Sequence, residues 1–115
     1  MNEFIKNKNS KLHILILKEN IFEIKKLLNN ENKIINVQNK QGDTPLHLSI
    51  RYQMNDISKI LINQNNINLK IKNIYQNDIL FEALISENNY ILDLLLKLDK
   101  YKINHNFKSF NNTSY

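Results

Sequence analysis

Three histidines, His13, His47 and His105, are the side chains best suited to proton or metal chemistry near neutral pH. A tetrahedral metal site needs further nitrogen, sulfur or carboxylate donors. No other histidine lies close to any of the three in sequence, and the chain has no cysteine. Thiolate nucleophiles, disulfides and cysteine metal sites are therefore excluded. The 11 acidic residues are spread singly over expected helix ends and turns, with no acid/base pair evident. One glycine cannot build a glycine-rich phosphate loop. Ser10 and Ser49 read as a helix cap and a small packing residue, not as nucleophiles. The expectation is no catalytic residue, no metal, no cofactor and no small-molecule substrate, hence no enzyme. Recognition chemistry remains. Arg51 is the one arginine in a lysine-rich chain, so lysine bias does not explain it. Tyr52 follows it, and Arg and Tyr are both over-represented at binding hot spots.

At 115 residues, 42% of them hydrophobic, the chain suits one modest core. The net charge of +5 opens an alternative function, binding of nucleic acid or an anionic surface. The basic residues are scattered rather than clustered, and the wealth of Asn, Ile and Lys is what AT-rich codon usage produces. Leu12 to Leu17 is too short for a membrane span and no Sec-type cleavage site follows it. A cytoplasmic location is expected, or the cytosol of a host if the chain is exported by another route.

The elements that must position these groups are set by one stretch, Gly42 to Ile50. It holds the chain's one glycine and one proline. Gly42 allows a positive φ, Thr44 can cap a helix, and Pro45 suits the first helical position. Leu46 should turn inward and His47 can tie its ring to backbone or hydroxyl groups. The stretch echoes along the chain. Leu12 and Leu46 stand 34 residues apart, as do His13 and His47, with Ser10 in the place of Thr44. Asn39 and Asn73, and Ile57 and Ile91, keep the same period. In the third copy Asp78 stands for Thr44, Leu80 for Leu46 and Ala83 for Ser49. Gln76, Ile79 and Phe81 replace the glycine, proline and histidine. Helices are expected near 44–52, 55–63 and 90–98, with one over 22–30 in the first copy. That copy shows one residue more between its two helices than the next, which makes its first helix the least secure element.

Gly-Asp-Thr-Pro-Leu-His, with Ile34 to Asn39 leading into it, resembles the signature of ankyrin repeats. The resemblance covers residues 10 to 107, with one strong and two degenerate repeats. It implies an all-α fold, a short solenoid of helix-turn-helix repeats joined by hairpin loops. The division is a 1–9 extension, repeats at 10–41, 42–75 and 76–107, and a 108–115 tail resembling the start of a fourth. It implies that His13 and His47 are structural, each tying one repeat to the next. It also implies a non-enzymatic protein–protein interaction module whose partner meets the hairpin tips and the exposed side of each first helix. Those positions are Lys40, Gln41, Asp43, Arg51 and Tyr52 in repeat two, and Ile74, Tyr75, Asn77, Ile85 and Ser86 in repeat three. Leu92 and Leu96 replace Ser58 and Ile62 on the side that would meet a further repeat. A lid of Phe107, Phe110 and Tyr115, end-to-end self-association, or a shortened array are the outcomes expected of that face.

Overall fold

The computed structural model describes residues 9–98, apart from the side chain of Asn32. The expectations for Phe4, Ile5, His105 and the aromatic lid lie outside those residues. Among the described residues the regular elements are six α-helices and one 3-10 turn, with no strand. The helices are α1 (Lys11–Leu17), α2 (Ile21–Asn30), α3 (Pro45–Arg51), α4 (Asn55–Ile62), α5 (Ile79–Ile85) and α6 (Asn89–Lys97). The 3-10 turn, Asn32–Asn36, follows α2.

Each first helix starts on a cap. Ser10, Thr44 and Asp78 accept the backbone N–H of His13, His47 and Phe81 respectively. Pro45 occupies the first turn of α3. Among the second helices, Asn20 and Asn88 cap α2 and α6 in the same way, while Met54 at the head of α4 has no side chain that can. The turn within each pair uses the left-handed region, at Glu19 (φ 55°), Gln53 (φ 61°) and Glu87 (φ 57°). These three sit 34 residues apart, each with its N–H on a carbonyl of the preceding helix: Ile16, Ile50 and Leu84.

The pairs are in strict register. α1, α3 and α5 begin at 11, 45 and 79, and α2, α4 and α6 at 21, 55 and 89. This corrects the extra residue expected in the first copy: three residues join the helices in every pair. In the structure Ile24 corresponds to Ser58, and Glu23 takes the place of Ile57.

First helices stack side by side, α1 on α3 and α3 on α5, with α4 on α6 behind them. Leu12, Ile16, Leu46, Ile50 and Ala83 from the first row meet Ile24, Leu27, Ile57, Leu61, Ile91 and Leu95 from the second in one continuous core. Buried polar groups find partners inside it. Ser49 Oγ lies 2.7 Å from Ser58 Oγ and donates to the Leu46 carbonyl. Asn88 donates to the Ile50 carbonyl and to Asn55 Oδ1, tying the third pair to the second.

The last pair ends the described stack differently. His47, Ile50 and Ile62 are buried beneath it at 1% exposure or less, yet their counterparts Phe81, Leu84 and Leu96 are 48%, 56% and 39% exposed. Phe81 and Leu84, with Leu80 and Leu92, line an apolar hollow rimmed by Lys72, Gln76 and Asp78.

Candidate partner-binding face

Two hairpin loops position the face. Asn39 Oδ1 accepts the N–H groups of Gln41 and Asp43, and Asn73 Oδ1 accepts those of Tyr75 and Asn77. Each loop closes with a pair of backbone bonds, Asn39 N to Asp43 O and Asn73 N to Asn77 O being the wider of each. Asparagine at this site lets one side chain hold both strands of the loop while its amide reaches the neighbouring loop. Asn39 Nδ2 donates to Asn9 Oδ1 at 2.8 Å, and Asn73 Nδ2 to Asp43 Oδ1 at 3.0 Å.

The histidines link loops to helices. His13 Nε2 donates to the Asp43 carbonyl (2.7 Å) and His47 Nε2 to the Asn77 carbonyl (2.8 Å). Each Nδ1 accepts its cap residue's N–H and hydroxyl, Ser10 or Thr44. An accepting Nδ1 leaves Nε2 as the donating nitrogen, so the hydrogen bonds select the same tautomer in both rings. Burial pushes the His13 pKa below its usual value, partly offset by the Asp43 carbonyl. These rings are fully occupied in the fold. No group of three His, Asp or Glu suited to a metal exists among the described residues.

Arg51 organises the centre of the face. Its guanidinium meets Asp43 through Nη1 (3.0 Å) and Nη2 (2.8 Å), and Glu82 through Nε (3.2 Å) and Nη2 (3.0 Å). Asp43 and Glu82 are 3% and 4% exposed. Burial alone would lower the Arg51 pKa, but the bonds to Glu82 and then Asp43 outweigh it and raise it above its ordinary value. Ser86 Oγ donates to Glu82 Oε2 at 2.8 Å. The acidic residues are thus not all isolated, as sequence spacing suggested: Asp43 and Glu82 converge on one cation.

Seven of the ten expected contact residues are brought together. Gln41, Asp43, Arg51, Tyr75, Asn77, Ile85 and Ser86 line one groove of about 480 Å³, with Asn73 and Glu82. Tyr52 lines an adjoining hollow of about 300 Å³ that shares Gln41, Asp43 and Arg51 with the first. Lys40 and Ile74 are exposed at the hairpin tips, outside both recesses. Of the ten, Asp43 stands apart: it is buried, and each of its oxygens accepts from within the fold, Oδ1 from Arg51 and Asn73 and Oδ2 from Arg51.

Glu82 and Asn73 were missed from the sequence. A signal for Glu82 was present. It falls in the column of Ile14 and Leu48, while Arg51 falls in that of Leu17 and Ile85. One acid and one base in otherwise apolar columns of adjacent repeats mark an inter-repeat ion pair.

No helix among the described residues is long and apolar enough to cross a membrane. Comparison with curated proteins gave no match. A family model for ankyrin repeats, three copies, matches residues 7–108. Members of that family serve generally as protein–protein interaction modules and are typically non-catalytic. With three helix pairs in 34-residue register and a family match over most of its length, this chain belongs to the ankyrin-repeat family.

Proposed function

We propose that the chain is a non-enzymatic binding module that holds a partner protein against its recessed face, between the hairpin tips and the row α1, α3 and α5. The observation that carries this is the exposure of large side chains around the grooves. Tyr75, Ile85 and Tyr52 are 67%, 55% and 54% exposed beside a hydrogen-bonded floor. Large anchors around a fixed polar centre suit a protein surface. Lys40, Gln41, Ile74, Asn77 and Ser86 supply the polar and apolar periphery. Asp43 and Arg51 act in this reading mainly by fixing the loops and helices that carry the anchors. The alternative of nucleic-acid binding gains nothing here, since the groove lining holds two carboxylates and one guanidinium.

The test is affinity capture with three baits: wild type, Tyr52→Ala/Tyr75→Ala, and Phe22→Ala/Tyr90→Ala. Phe22 and Tyr90 are exposed on second helices. A partner retained by wild type and the second-helix variant, with affinity lowered at least tenfold by the groove variant, is expected. Loss with the second-helix variant alone would move the contact surface elsewhere.

A further inference from the structure

We propose that the groove selects a partner segment presenting a lysine or arginine, whose cationic end docks over the Asp43–Arg51–Glu82 floor. This rests on the reading of the recessed face as the binding surface. The first argument is charge. The chain carries +5 overall, yet among the described residues those lining the two recesses include two carboxylates, one guanidinium and no lysine. The floor is therefore formally −1 in a protein that is otherwise cationic. Both carboxylates line the groove while almost shielded from bulk solvent, where a charge is weakly screened.

The second argument is the count of acceptors. Asp43 Oδ1 takes Arg51 Nη2 and Asn73 Nδ2, but Oδ2 takes only Arg51 Nη1. Glu82 Oε2 takes Arg51 Nε and Ser86 Oγ, but Oε1 takes only Arg51 Nη2. A carboxylate oxygen offers about two acceptor positions, so Asp43 Oδ2 and Glu82 Oε1 each keep one. Two spare acceptors with a negative balance suit a group that only donates. Ammonium and guanidinium are the donor-only groups that also carry a permanent positive charge near neutral pH.

The third argument is the wall. Tyr75 and Ile85 stand exposed at the same groove. A tyrosine face accepts a cation, and an aliphatic neighbour accepts the methylene stem of Lys or Arg. A carboxylate guest would meet the same wall but the wrong sign of charge.

The test uses the full chain as target for a phage-displayed library of random seven-residue peptides, followed by titration of the selected peptides at low and high salt. Enrichment of Lys or Arg is expected. Replacing that one peptide residue by norleucine, which keeps the stem and removes the charge, should weaken binding at least fivefold and flatten its salt dependence. This substitution leaves the protein untouched, so no folding defect can mimic it. Glu82→Gln should weaken binding similarly, and the exposed Glu31→Gln should not. Selection of acidic or uncharged peptides, or indifference to norleucine, overturns the cationic preference. If Tyr75→Ala still abolishes binding in that case, the recessed face survives as the binding surface. Selected peptides insensitive to both Tyr52→Ala and Tyr75→Ala, or no selection at all, overturn both readings.

Discussion

A methyl group on Gly42 would lie 2.9 Å from Asn73 Cα, in the backbone of the next hairpin. Gly42 also holds φ at +79°. Two demands therefore coincide: a left-handed backbone, and no room for a side chain beside the loop whose Ile74 N–H donates to the Gln41 carbonyl. Its counterpart Gln76 holds φ at +66°. Among the described residues only the first demand acts there, since none of them forms a further hairpin beside Gln76.

Gly42→Ala should therefore destabilise by about 2–4 kcal/mol, summing left-handed strain and overpacking. Gln76→Gly should instead be neutral or stabilise by up to about 1 kcal/mol, relieving strain at the expense of unfolded-state entropy. Urea denaturation of both variants checks this, and equal losses would show that the close approach to Asn73 plays no part.

Arg51→Ala should cost about 2–4 kcal/mol, since it strands two buried carboxylates, with some discount for the partial exposure of the arginine. Arg51→Lys should recover only part of the loss, because one ammonium cannot bridge both carboxylates through four bonds. Tyr52→Ala alone should leave the urea midpoint within experimental scatter.

His13 makes stability depend on pH with a definite sign. Its folded pKa is lowered by burial, so between the unfolded value of about 6.5 and the folded value the unfolded chain binds more protons. The contribution is complete above about pH 7 and is lost as pH falls through that window. His13→Phe, which copies the phenylalanine found at the matching position Phe81, should show a smaller drop in melting temperature between pH 7.5 and 5.5. A slope equal to wild type would place the pH dependence in other groups.

Ser49 and Ser58 share one buried hydrogen bond of 2.7 Å between the helices of the second pair. Ser49→Ala should cost about 1–2 kcal/mol by leaving the Ser58 hydroxyl without its partner. Ser49→Ala/Ser58→Ala should cost less than the sum of the two single changes, with a coupling of about 0.5–1.5 kcal/mol. Additive losses would mean that each hydroxyl is satisfied independently.

Local chemistry was readable along the chain. Ser10, Thr44 and Asp78 cap their helices because a short polar side chain reaches only the next turn, so spacing alone reveals the partner. Pro45 and Gly42 announce a helix start and a left-handed turn for equally local reasons. The left-handed backbone at Glu19, Gln53 and Glu87 was not legible from residue type, since none of the three is the glycine that such a backbone favours. The period of 34 carried the fold, because each repeat buries its apolar stripe against an equivalent neighbour. What the sequence could not settle was the state of each polar side chain on the recessed face. Arg51, Asp43 and Glu82 are ordinary surface residues by type, and their burial follows from how closely the third helix pair stacks on the second. An ion pair across 31 residues forms only when tertiary packing brings its partners within about 3 Å and removes the water that would otherwise solvate each one.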